Sequence, residues 1–233
     1  MTDQNNLKHA AAARALDFVT DGMKLGLGTG STADAFVDGL GARLRAGMKL
    51  RCAATSERTA ARARALGLVI EDPGDLAPLD LTVDGADEAD RNLTLIKGGG
   101  GALLREKIVA ASSKRMIVVA DESKLVARLG KFPLAVEVLE FGHAATALRI
   151  TAALASLGYK GAPVTLRVRD GVLFRSDNGN PIYDCALGEI NDAPRLAATL
   201  DSIPGIAEHG LFVGIAHTLL IAHPGGVEVI DKQ

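Results

Sequence analysis

Three acids, a lysine and a run of glycines lie close together near the middle of this chain. Asp84-Gly85-Ala86-Asp87-Glu88 puts three carboxylates within five residues. They follow an apolar segment, Leu79 to Val83, that reads as a buried strand. Lys97 then opens a run of four glycines, Gly98 to Gly101, and a helix-forming segment carrying Glu106 comes next. Backbone amides freed by a glycine run at the start of a helix make a site for an anion. With the helix starting near Ala102, Glu106 falls among Ala102, Leu103, Val109 and Ala110. No basic residue stands three or four positions away, so nothing along the helix pairs with it. A carboxylate on such a sector that lines a cleft is partly desolvated. That raises its pKa toward the useful range for a general base. The combination points to an anionic ligand that also undergoes proton chemistry.

A second glycine turn comes earlier. Met23 to Leu27 reads as a short strand that runs into Gly26-Leu27-Gly28-Thr29-Gly30-Ser31-Thr32, and Ala33 to Ala46 has helical periodicity. A strand, a glycine turn and a helix form a unit that binds phosphate at the helix N-terminus. Thr29, Ser31 and Thr32 add hydroxyl donors, and Ser31 is the expected N-cap. This is not the dinucleotide fingerprint, because Ser31 stands where its third glycine belongs, and no Walker A lysine follows.

These residues need elements to position them. Lys8 to Val19 reads as a helix. Leu50 to Thr55, Leu68 to Ile70 and Arg115 to Ala120 read as strands, and Glu57 to Leu66 as a helix capped by Ser56. Alternating strands and helices predict an α/β fold with a doubly wound, largely parallel sheet. Ligands of such sheets sit at the carboxyl ends of strands. Thr29 to Thr32, Asp84 to Asp87, Lys97 and Lys124 all fall at or just after a predicted strand end.

The pattern changes at Phe132-Pro133. Leu134 to Leu139, Val164 to Val168, Val172 to Arg175 and Ile182 to Cys185 read as strands, with turns at Asp170-Gly171 and Asp177 to Asn180. Ala144 to Leu157 and Asp192 to Leu200 read as helices. This order predicts an inserted smaller α+β module of split βαβ, ferredoxin-like type. Leu211 to Ala222 and Val227 to Ile230 read as strands returning to the first unit. The expected division is residues 1–131 with 208–233 as an α/β catalytic domain, and 132–207 as the small domain.

Composition narrows the classes. The 233 residues carry a net charge of -2, 48% hydrophobic residues and no tryptophan, which gives no basic excess or stacking platform for nucleic acid. Cys52 and Cys185 are far apart and read as buried free thiols of a reducing compartment. The polar start has no signal-peptide pattern, and no apolar run is long enough to span a bilayer. A cytoplasmic protein is expected. Histidines 9, 143, 209, 217 and 223 show no metal-ligand spacing. There is no G-x-S-x-G elbow for hydrolase chemistry.

Gly26 to Ala33 (GLGTGSTA), Asp84 to Glu88 (DGADE) and Lys97 to Lys107 (KGGGGALLREK) resemble the signature blocks of the type A ribose-5-phosphate isomerases. Ala120 to Lys124 (ADESK) and Ser176 to Asn180 (SDNGN) resemble further blocks of that family. One small departure is Gly101, where the family often has alanine. The resemblance implies interconversion of ribose 5-phosphate and ribulose 5-phosphate in the pentose phosphate pathway, with no cofactor or metal. It implies Glu106 as the base that moves a proton between C2 and C1, with Asp84, Asp87 and Lys97 around the reacting end of the sugar. It implies Thr29, Gly30, Ser31, Thr32, Gly85, Ala86, Gly98, Gly99, Gly100 and Lys124 as further substrate-binding residues. Either aspartate could assist ring opening. A homodimer or homotetramer is expected, with the small domain at the interface. A non-catalytic sugar-phosphate sensor and a coenzyme A transferase-like enzyme remain as other readings of the same loops.

Overall fold

The computed structural model describes residues 3–232. Its first part runs through α1 (Asp3–Leu16), β1 (Lys24–Leu27), α2 (Ser31–Arg45), β2 (Arg51–Ala54), α3 (Glu57–Ala65), β3 (Val69–Ile70), α4 (Pro73–Leu76), β4 (Leu81–Asp84), β5 (Glu88–Ala89) and β6 (Leu95–Ile96). Next come α5 (Leu103–Ala111), β7 (Met116–Asp121), β8 (Leu134–Val138), α6 (His143–Ser156), β9 (Val164–Leu166), β10 (Val168–Arg169), β11 (Val172–Leu173) and β12 (Ile182–Cys185). The chain closes with α7 (Ala193–Asp201), β13 (Ile206–His209), β14 (Leu211–Phe212), β15 (Thr218–His223) and β16 (Gly226–Asp231).

The larger sheet has the order β16-β15-β7-β4-β1-β2-β3 and is parallel except for β16 at its edge. From β1 the chain steps one way, through β2 to β3. From β4 it steps the other way, through β7 to β15. The reversal falls between β1 and β4, and the crevice beyond their carboxyl ends is where such sheets bind ligands. Strand period explains the core. Ile117 and Val119 pack on the face of Leu27, Val83 and Phe36, while Met116, Val118 and Ala120 pack with Ala110, Leu219 and Ile221 on the opposite face. With both faces covered, β7 is buried at every position, as a central parallel strand is. Ala11, Ala12 and Ala15 let α1 pack closely on α2, beside Phe36, Val37 and Leu40.

A four-stranded antiparallel sheet, in the order β13-β8-β12-β9, carries α6 and α7 through Ile150, Leu154, Leu196 and Leu200. Its β-α-β-β-α-β order is the split βαβ pattern that the sequence predicted. A three-stranded ribbon, β14-β6-β5, stands between the two sheets.

Some boundaries differ from the sequence reading. Helix α1 begins at Asp3 and ends at Leu16, not Lys8 to Val19. Leu211 to Ala222 is two strands. Gly214, at φ +73°, turns the chain so that β14 joins the ribbon and β15 joins the larger sheet. Val164 to Val168 is broken at Arg167. Gly30, not Ser31, is the cap residue of α2, and Ser31 is its first helical residue.

Candidate active site

The first loop and the first acid are built together. Gly28 follows β1, and a Cβ there would lie 2.1 Å from Asp84 Oδ1, so only glycine lets the two strand ends meet. Asp84 Oδ1 accepts hydrogen bonds from the amides of Thr29 at 3.0 Å and Gly85 at 2.7 Å. The Thr29 hydroxyl faces the start of α3, where it meets the hydroxyls of Thr55 at 2.7 Å, Ser56 at 2.8 Å and Thr59 at 3.1 Å. Ser56 caps α3 as the sequence predicted, accepting from the Thr59 amide at 3.1 Å.

Lys97 enters from the end of β6. Its amide donates to the carbonyl of Gly210 at 2.8 Å, which ties it to the turn before β14. Its Nζ donates to the Gly85 carbonyl at 2.6 Å and lies 3.2 Å from Asp84 Oδ2 and 3.3 Å from Glu106 Oε1. All three side chains are buried. Thus the partner that α5 itself cannot give Glu106 comes from the preceding loop.

One ammonium cannot neutralise two buried carboxylates. Burial raises Glu106, Lys97 pulls it back and Asp84 pushes it further up, which leaves it at about 8. Burial likewise raises Asp84 above the ordinary carboxylate value, against Lys97 and the two amides. Burial works against the charge on Lys97, but Asp84, Glu106 and Asp87 together hold it above the ordinary lysine value. Glu106 Oε2 is buried with no hydrogen-bond partner among the described residues. This carboxylate is held by one oxygen and has the other free to take a proton.

The glycine loop closes the same space. Gly98 has φ +106°, which favours glycine, and the Gly99 amide donates to Asp87 Oδ2 at 2.7 Å. A cavity of about 190 Å³ is lined by Thr29, Gly30, Ser31, Thr32, Gly85, Ala86, Asp87, Lys97, Gly98, Gly100, Glu106 and Lys124. Asp84 and Gly99 stand behind this wall, in contact with Lys97 and Asp87 respectively. Glu88 turns away, and its carboxylate accepts from the amides of Gly130 and Phe132, each at 2.7 Å.

Four lining residues are not among the expected site residues: Gln4 and Lys8 on α1, and Ala120 and Asp121 of the block that holds Lys124. Gln4 and Lys8 are four apart on α1, and so share one helix face. Neither Lys8 nor Lys124 has an ion-pair partner among the described residues. The lining of the cleft therefore includes two lysines and the N-terminus of α2, groups that suit a phosphate, as well as the Asp121 carboxylate. The same lining offers a desolvated carboxylate beside an ammonium, Glu106 and Lys97, a place for proton transfer and developing negative charge.

The family model "Ribose 5-phosphate isomerase A (phosphoriboisomerase A)" matches residues 51–226. The ribose-5-phosphate isomerase A of Nitrobacter hamburgensis is 54% identical over 227 residues, covering 97% of this chain and 98% of that one. The solved ribose 5-phosphate isomerase of Plasmodium falciparum superposes with a TM-score of 0.91 at 37% identity, over 98% of this chain and 99% of that one. The solved ribose 5 phosphate isomerase A of Neisseria gonorrhoeae gives 0.90 at 34% identity, over 100% and 99%. The lysine-bridged carboxylates and the two glycine loops thus lie in a chain that belongs to the ribose-5-phosphate isomerase A family.

Proposed function

We propose that Glu106 is the base with which this chain interconverts D-ribose 5-phosphate and D-ribulose 5-phosphate. The observation that carries this is the free, buried Oε2 of Glu106 beside Lys97. Glu106 takes the proton from C2 of the open-chain aldose and returns it to C1, through an enediolate. Lys97 and the glycine-loop amides face the oxygens on which negative charge develops. Asp87, on the cavity wall, meets the sugar and assists ring opening, while Asp84, behind it, holds Lys97. Lys8, Lys124 and the first amides of α2 hold the phosphate. None of these steps calls for a metal or cofactor. The sensor and transferase readings are not favoured by the relatives.

The test is ribulose 5-phosphate formation from ribose 5-phosphate in metal-free buffer. The wild type turns over, and Glu106→Gln loses about 10²- to 10⁴-fold in kcat with its fold intact. A mutant of near-normal activity would move the proton chemistry to an aspartate.

We read the chain as two domains, residues 1–131 with 208–233 and residues 132–207, in a cytoplasmic homodimer or homotetramer. No described helix is long and apolar enough to cross a membrane. A second copy is placed against the small domain because Phe141, 96% exposed, and Leu148, 73% exposed, lie beside and on α6. Light scattering on Phe141→Glu checks this; an unchanged mass removes the small domain from the interface.

A further inference from the structure

The four-stranded sheet reaches the glycine loop through one side chain. Arg167, at the break between β9 and β10, is nearly buried. Its guanidinium grips Asp184 with two hydrogen bonds, Nε to Oδ2 at 2.8 Å and Nη2 to Oδ1 at 2.5 Å. Phe174 lies against it, with the ring centroid 5.6 Å away. The remaining nitrogen, Nη1, donates to the carbonyl of Gly98 at 2.7 Å and stands 3.5 Å from that of Gly99.

A planar trans peptide points its C=O and its N–H in opposite directions. The peptide that carries the Gly98 carbonyl also carries the Gly99 amide, which donates to Asp87 Oδ2. This peptide unit therefore lies between a cation at its oxygen and an anion at its N–H, each at the end that its dipole favours. The next peptide also turns its carbonyl toward Arg167. Its amide, that of Gly100, is thereby directed to the opposite side, and Gly100 lines the cavity. Within the loop the Gly98 carbonyl also accepts from the Gly101 amide at 3.0 Å, but no side chain of the glycine run adds to that single turn bond, so Arg167 is the side chain that fixes the peptide. The guanidinium fork can hold Asp184 and a carbonyl at once in a fixed plane, which an ammonium cannot.

We propose that Arg167 is a positioning residue for the isomerisation: through the Gly98–Gly99 peptide it fixes Asp87, and through the next peptide it turns the Gly100 amide toward the reacting end of the sugar. This rests on the reading of the cleft given above. The Glu106→Gln assay tests that reading separately.

The experiment is steady-state kinetics on Arg167→Ala, Arg167→Lys and Asp184→Asn, with and without added guanidinium. Arg167→Ala lowers kcat about 10- to 100-fold with KM within about threefold, because the oriented amides act on charge that exists only in the transition state. Guanidinium restores most of that loss and methylammonium does not. Arg167→Lys stays close to the alanine variant. Asp184→Asn shows a smaller loss of the same kind and adds nothing in the Arg167→Ala background, because Asp184 acts through Arg167. A kcat of Arg167→Ala within about twofold of wild type, or a loss that guanidinium does not reverse, overturns the proposal. If the alanine variant does not fold, Asp184→Asn decides, and an unchanged kcat there overturns it as well.

Discussion

Lys97 Nζ and Glu106 Oε1 stand 3.3 Å apart with side chains only 3% and 5% exposed, and Asp84 shares the same ammonium. The relationship sets the acid–base behaviour of the site. Burial raises Glu106, and an ammonium shared with Asp84 offsets that only in part, so the carboxylate that faces the cleft keeps a proton to an unusually high pH.

The first consequence is kinetic. Burial places Glu106 at about 8, and only its deprotonated form can accept the C2 proton. The kcat/KM of the wild type is expected to rise about tenfold per pH unit below that value and to level above it. A profile flat from pH 6 to pH 9, in a range the native fold tolerates, would refute the assignment.

Stability should run the opposite way. The folded Glu106 binds its proton up to about 8, whereas the unfolded chain releases it near the ordinary 4.5. The native state therefore holds more protons across that window. Its stabilisation is full below the unfolded value and is lost as pH rises through the folded one. Urea unfolding at pH 6 and pH 9 checks this. Glu106→Gln, which cannot ionise, should gain stability relative to wild type at the higher pH. Equal differences at both pH values would contradict it.

Lys8 and Lys124 line the cleft with no ion-pair partner among the described residues, so both charges are free for a ligand. Lys8→Ala is expected to raise KM about tenfold and to lower kcat much less, because the phosphate is bound alike in ground and transition states. The ratio of mutant to wild-type KM should shrink in high salt. A fall in kcat at unchanged KM would place Lys8 with the chemistry instead.

Gly28→Ala tests how closely β1 and β4 approach. The new Cβ would stand 2.1 Å from Asp84 Oδ1 and 2.5 Å from its Cα, and the backbone atom cannot rotate away. The variant should lose about 1–3 kcal/mol of stability and most of its activity, because Asp84 carries Lys97. Wild-type activity in Gly28→Ala would mean that the strand ends are not held this tightly.

Much of the site is legible in the sequence because it is local. Asp87, the two glycine turns and the apolar sector around Glu106 are short-range patterns, and the structure brings them to one cavity with Asp84 just behind its wall. What the sequence hides is long-range or ambiguous. Lys8 and Gln4 sit on α1, far from every motif, and only their four-residue spacing at a helix start marks them. Glu88 reads as a third site acid, yet it holds the Gly130 and Phe132 amides. The Thr29 hydroxyl reads as a ligand donor but is taken up by a cluster of hydroxyls that no spacing rule connects. Leu211 to Ala222 is apolar apart from His217 and Thr218 and reads as one strand; the turn at Gly214 sends its halves to different sheets.

The pairing of β7 with β15 bears on how the chain is made. β7 is buried along its whole length, yet its outer neighbour is Thr218–His223, which is synthesised only after the whole small sheet. A nascent chain emerging N-terminus first holds an uncovered apolar edge for as long as the intervening small sheet takes to appear. Such an edge invites pairing with other chains. A fragment ending before β15 thus lacks the cover of β7 and is expected to be recovered as aggregate.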